Sequence, residues 1–148
     1  MELQICSARC ALAVAVVGMV GYSICGVAAD LTINVATVRS ATGTIRFEVD
    51  DNAAAWNDKA KATATASIPA APGAVSYTFK DLSPGKYAVF VYHDENNNGK
   101  LDMNLFGVPK EGVGFSNNLK LLRQPKFDEA SITVPDGDYS IAIELKYY

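Results

Sequence analysis

Thr44-Ile45-Arg46-Phe47-Glu48-Val49 alternates apolar and polar residues, putting Ile45, Phe47 and Val49 on one face and Arg46 and Glu48 on the other. A period of two marks an extended strand with one buried face, because successive side chains point to opposite sides. The same period runs upstream through Leu31, Ile33 and Val35. Downstream it runs through Val75-Ser76-Tyr77-Thr78-Phe79 and Lys86-Tyr87-Ala88-Val89-Phe90-Val91-Tyr92. Ile132-Thr133-Val134 and residues 139–147 complete the pattern. Turn-forming residues separate the runs: Ser40-Ala41-Thr42-Gly43, Ser83-Pro84-Gly85 and Pro135-Asp136-Gly137-Asp138. The last of these, lying between two alternating runs, predicts a hairpin near the C-terminus. Residues 52–66 are rich in alanine, but Thr63, Thr65 and Trp56 argue for a loop or one helical turn, followed by a strand near 63–68. About seven short strands and no long helix after residue 30 predict an all-β fold, an antiparallel β-sandwich.

The segment ahead of these strands has a different character. Arg9 is followed by an apolar run over 11–20 and a small-residue end, Val27-Ala28-Ala29. That layout is that of an export signal peptide cleaved after Ala29. It divides the chain into a signal, 1–29, and one domain, 30–148, placed outside the cytoplasm. Two alternatives stand beside it. One is a retained membrane anchor, although the strictly apolar run is about half the ~20 residues that a span needs. The other is a lipid-modified Cys25, although bulky Ile24 precedes it. Cys6, Cys10 and Cys25 all lie in this segment, so residues 30–148 have no disulfide, thiol nucleophile or thiolate metal site. The 148 residues carry a net charge of −3, which lacks the basic field that holds a nucleic-acid backbone.

In Phe79-Lys80-Asp81-Leu82-Ser83-Pro84-Gly85-Lys86-Tyr87-Ala88-Val89, Leu82 is expected to plug the core from a connection. Pro84-Gly85 is expected to form a tight turn with positive φ at the glycine, and Tyr87 and Val89 to point inward. This pattern resembles the prealbumin-like (transthyretin-like) sandwiches.

His93-Asp94-Glu95-Asn96-Asn97-Asn98-Gly99-Lys100-Leu101-Asp102 carries the candidate metal chemistry. Counting from Asp94, oxygen side chains occupy the first, third, fifth and ninth positions: Asp94, Asn96, Asn98 and Asp102. Gly99 falls sixth, where a calcium loop turns sharply, and Lys100 would offer its backbone carbonyl. The twelfth position is Leu105 instead of the bidentate glutamate, so Glu111 or another remote oxygen would have to complete the shell. Such a site would bind Ca2+ weakly, towards ~10⁻⁴–10⁻³ M. The same residues also suit a metal-free turn in which Asp and Asn side chains cap neighbouring backbone N–H groups.

Leu105-Phe106-Gly107-Val108-Pro109-Lys110-Glu111-Gly112-Val113-Gly114-Phe115-Ser116-Asn117-Asn118 mixes apolar groups, amides and glycines. It is a candidate binding surface through Phe106, Phe115, Asn117 and Asn118. Alternatively, its phenylalanines fold back as a cap. His93 is the one histidine of the chain and stands beside Asp94 and Glu95. It could serve a hydrolase as a general base. No activated Ser or Cys accompanies it, and a non-catalytic role is expected, with no catalytic residue assigned.

Tyr87-Ala88-Val89, His93-Asp94-Glu95-Asn96, Asn98-Gly99-Lys100-Leu101-Asp102, Phe106-Gly107-Val108-Pro109-Lys110-Glu111, Gly114-Phe115-Ser116-Asn117-Asn118 and Pro125-Lys126-Phe127-Asp128-Glu129-Ala130 together resemble a bacterial family of exported proteins, domain-of-unknown-function family 2141. The resemblance spans nearly all of residues 30–148. It implies a small periplasmic or secreted β-domain and brings no activity, ligand or catalytic residue. The expected role is that of a binding or accessory protein whose partner is an envelope protein, peptide or glycan. A purely structural accessory domain is the alternative. An exposed aromatic patch from Phe106, Phe115 or Trp56 would favour binding; burial of all three would favour the structural role.

Overall fold

A computed structural model describes residues 28–120 and 123–148. The expected signal lies outside the described residues as far as position 27. Ala29, the expected last residue of the signal, is buried as the first residue of strand β1. The elements in order are β1 (Ala29–Val38), β2 (Thr44–Asp50), α1 (Ala53–Trp56), β3 (Ala64–Pro69), β4 (Gly73–Leu82), β5 (Gly85–Asp94), β6 (Val113–Phe115), α2 (Phe127–Ala130), β7 (Ile132–Val134) and β8 (Tyr139–Glu144). Residues 52–66 resolve into a single helical turn and a strand, as their composition predicts. Asn52 caps the turn, its side chain accepting from the N–H groups of Ala54 and Ala55.

Two sheets face each other. One has the order β4-β1-β8; the other has β3-β2-β5-β6, with β7 also on β5. The short strands β6 and β7 share one edge of β5, facing residues 90–92 and 85–87 respectively. Pairings are antiparallel except β1 with β8, which is parallel. Leu31, Ile33 and Val35 of β1 meet Ile45, Phe47 and Val49 of β2, with Val89, Val91 and Ile143, in a buried core. Full burial of one such side chain stabilises by about 1.5–3 kcal/mol. Leu82, Tyr87 and Val89 face this core as expected.

Three expectations change. Residues 132–134 and 139–144 do not form a hairpin: β7 adds to β5 and β8 to β1, so Pro135-Asp136-Gly137-Asp138 crosses between the sheets. Alternation specifies which face of a strand is buried, not which strand lies beside it. The connection from β4 to β5 is likewise a crossover, in which Gly85 does not take a positive φ; the left-handed residue is Asp81, near the end of β4, with φ 57°. The third change is a short strand, β6, inside the glycine-containing stretch; it brings the strands among the described residues to eight, in keeping with the about seven expected.

The outer face of the β2-β5-β6 sheet is not a plain solvated surface. Ala88 and Phe90 of β5 and Phe115 of β6 join Trp56 of α1 and Ala130 of α2, with Leu119 and Phe127, in a second apolar cluster. Trp56 stays dry because its indole N–H donates to the Pro125 carbonyl at 2.7 Å. This covered face positions everything that follows.

Candidate functional site

The turn after β5 is organised by Asp94, which is fully buried. Its Oδ1 accepts the N–H of Asn98 at 3.0 Å; its Oδ2 accepts the N–H of Gly99 at 2.9 Å and Nε of Arg46 at 2.7 Å. Burial pushes the carboxyl's pKa up, but the bonds from Gly99, Arg46 and Asn98 outweigh it and hold the pKa below the ordinary aspartate value. Gly99 has φ 78°, which supplies the sharp turn expected at the sixth position. Asn96 Oδ1 accepts the N–H of Asn98 at 3.0 Å, and Asn98 Oδ1 that of Lys100 at 2.8 Å. The Nδ2 groups of Asn96 and Asn98 then reach Asp102 at 2.7 and 3.1 Å. Glu111 closes the loop from outside: its oxygens accept the N–H groups of Glu95 and Asp102 at 2.9 and 3.0 Å.

The structure thus brings Asp94, Asn96, Asn98, Lys100, Asp102 and Glu111 into one turn. The side-chain oxygens of Asp94, Asn96, Asn98, Asp102 and Glu111 all accept from neighbouring N–H groups. Among the described residues, no group of three or more His, Cys, Asp or Glu side chains is arranged to hold a metal ion.

Beyond this turn the chain makes a small loop around Asn104. The Asn104 side chain accepts the N–H groups of Phe106 and Val108 at 2.9 and 3.0 Å, and its own N–H donates to the Val108 carbonyl at 2.8 Å. Met103 bridges Pro109 across the base. The bonded tip holds Leu105 fully exposed and Phe106 90% exposed. Phe115 behaves oppositely, being buried, 5.2 Å from the Phe90 ring centre and 6.1 Å from that of Trp56. Only one of the two phenylalanines therefore folds back. Asn117 and Asn118 have exposed positions but committed amides. Asn117 Nδ2 donates to the Glu129 and Ser131 carbonyls; Asn118 bridges the Ala142 carbonyl and the Glu144 N–H.

Between this loop and the outer face of the sheet lies a cleft of about 290 Å3. Trp56, Phe90, Phe115, Leu101, Met103 and Pro109 give it apolar walls. Glu48, Asp58, Arg123 and Gln124 add polar groups.

His93 lies elsewhere and is fully buried. Its Nε2 is 2.7 Å from the Thr42 carbonyl, which can only accept, so Nε2 carries the proton. Nδ1 is 2.9 Å from the Tyr147 hydroxyl and 3.7 Å from a Glu95 carboxylate oxygen. Gly112 sits beneath the Tyr147 ring, where a Cβ would come within 2.5 Å of it.

The family model described as "Uncharacterized protein conserved in bacteria (DUF2141)" matches residues 33–142, from β1 into β8. The chain belongs to this family. No curated protein and no solved structure matches it significantly. The matched stretch of this DUF2141 chain encloses the turn, the exposed loop and the cleft. Sequence reasoning missed the cleft and its carboxyl groups at Glu48 and Asp58. The available signal was the outward row of β5: Ala88, Phe90 and Tyr92 are apolar or aromatic on the face that a solvated sheet would make polar.

Proposed function

We propose that this DUF2141 domain is an exported, non-catalytic binding module of the bacterial envelope. Its recognition surface is the loop 103–109 together with the cleft beneath it. The observation that carries this reading is the exposure of Leu105 and Phe106 on a loop whose backbone is held by Asn104. A rigid loop offering apolar side chains loses little entropy on binding and buries apolar area on contact. Partners of the expected classes, an envelope protein, peptide or glycan, suit such a surface. The absence of a catalytic role is supported by His93, which has no exposed ring edge and no Ser, Thr or Cys side chain among its bonding partners, the Thr42 carbonyl and the Tyr147 hydroxyl.

The test compares the full chain with an L105S/F106S variant on immobilised envelope extracts. The reading expects a defined component to be retained by the native chain and lost by the variant, at an unchanged unfolding midpoint. Equal retention, or none by either chain, overturns it.

Calcium in the turn is a second reading, favoured by the convergence of Asn96 and Asn98 on Asp102. Turning the two amides would exchange their N–H groups for oxygens facing Asp102, with Asp94 alongside. The ion would brace the loop's base and supply no chemistry of its own.

A further inference from the structure

We propose that the cleft takes an organic cation: an ammonium or guanidinium group carried on an apolar body. The inference rests on the cleft being a recognition surface, and it names the chemistry recognised there.

Three carboxyl groups lie in or beside the cleft. Glu48 and Asp58 line the cleft. Asp50, two residues along the same outward face of β2 from Glu48, lies behind the cleft and is completely buried; the Thr63 N–H and the Glu48 carboxyl approach it, but among the described residues neither of its oxygens has a well-formed hydrogen bond. Among the described residues no Lys, Arg or His forms an ion pair with any of the three. Arg123 also lines the cleft, but its guanidinium is held by both oxygens of Glu129 at 3.0 and 2.9 Å. The aromatic residues Trp56, Phe90 and Phe115 line the same cleft, Phe90 directly beside Glu48 across the β2–β5 pairing.

A buried carboxyl without a donor is costly, and native proteins relieve it with a proton, a cation or a ligand. Here the proton comes first. Burial, then the charge and proximity of Asp50, then the charge of Asp58 push Glu48 up to about 7. A proton on Glu48 gives Asp50 the donor it lacks. The groups around Glu48 are Arg46 and Asp50 on β2, Tyr92 on β5, Asp58 after α1 and Arg123 across the cleft. Arg46 is committed to Asp94. A ligand cation would stand in for that proton, paired with the carboxylates while the aromatic walls cover its apolar body. The volume suits a small molecule or one side chain of a larger partner.

Trp56 is the single tryptophan and lines the cleft, so its fluorescence in the full chain reports occupancy directly. The probes are phenethylammonium, its neutral counterpart 2-phenylethanol, and acetyl-lysine-N-methylamide as a protein-like cation. Saturable binding of phenethylammonium, with 2-phenylethanol at least tenfold weaker, is expected. Binding should tighten on the order of tenfold from pH 5.5 to pH 8 as Glu48 gives up its proton. It should weaken about tenfold in E48Q/D58N, whose amides remove like-charge repulsion and leave folding intact. A response to the lysine probe assigns the cation to a protein side chain; a response to phenethylammonium alone assigns a free amine, and both support the proposal. Equal binding of 2-phenylethanol overturns the cation assignment while leaving the binding-module reading standing. No response to phenethylammonium also overturns it.

Discussion

The guanidinium of Arg46, in the middle of β2, donates through Nε to the buried carboxylate of Asp94, at the end of β5, at 2.7 Å. This pair ties the turn to the sheet, because the same carboxylate also holds the N–H groups of Asn98 and Gly99. Only Asp94 of the pair is buried: removing Arg46 leaves a buried charge short of its partner, and removing Asp94 strips the turn of the acceptor for two backbone N–H groups. Asp94→Ala should therefore cost about 3 kcal/mol, and Arg46→Ala about 2 kcal/mol because two backbone donors remain on Asp94. Urea unfolding of the two variants checks this. A cost below about 1 kcal/mol for both would mean that the turn is held by Glu111 instead.

The same pair sets an acid limit. Asp94 has a folded-state pKa below its unfolded value, despite its burial, because Gly99, Arg46 and Asn98 bond the charged form. Its contribution is present above the unfolded value near 4 and is lost as pH falls through the folded value.

Glu48 acts in the opposite sense. Its pKa is raised to about 7, first by burial and then by Asp50. Below the unfolded value near 4.5 its contribution is fully present, and it is lost as pH rises through about 7. Stability should decline between pH 5 and pH 7.5 by on the order of 1–2 kcal/mol, a figure discounted because Glu48 is partly solvent-exposed. Glu48→Gln should flatten that decline and stabilise the protein at pH 8. Thermal unfolding across this range decides it; an unchanged slope in the variant would remove Glu48 as its source.

The limits of the sequence reading follow from what alternation encodes. Ile45, Phe47 and Val49 point into the core as their spacing requires, and Gly99 takes the positive φ that its place in the turn demands. The neighbours of β7 and β8 were not legible, because each strand fills a free edge that exists only after both sheets are assembled. Nor was β6, whose Val113-Gly114-Phe115 is too short for a period and is defined by its pairing with β5. The candidate turn was legible because its polar side chains bond within a few residues of themselves. The cleft was not: Glu48 faces Phe90 through strand register, and Trp56 and Asp58 arrive from another connection.

Phe115 and Phe106 carry the same side chain and should respond differently. Phe115→Ala opens a cavity against Trp56 and Phe90 and should cost about 3–4 kcal/mol. Phe106→Ala removes an exposed ring and should change stability by less than about 0.5 kcal/mol. Denaturant midpoints of the two single variants are the measurement. A large loss for Phe106→Ala would show that this ring packs in solution, and the recognition surface would then have to be sought elsewhere.

Calcium offers the last discrimination. A ligand that binds only the folded state stabilises it by mass action. A site with a dissociation constant of ~10⁻⁴–10⁻³ M would add about 1.4–2.7 kcal/mol at roughly 10 mM calcium. Unfolding midpoints in EDTA, in calcium and in magnesium should then show a calcium-selective rise. Asp102→Ala should abolish that rise, because Asp102 is where the Asn96 and Asn98 amides converge. A rise that survives Asp102→Ala would put the ion outside the turn. No rise at all would leave 94–102 as a turn capped by its own side chains, with Glu111 fastening Glu95 to Asp102. In that case the rigidity of the loop that presents Phe106 comes from hydrogen bonds alone.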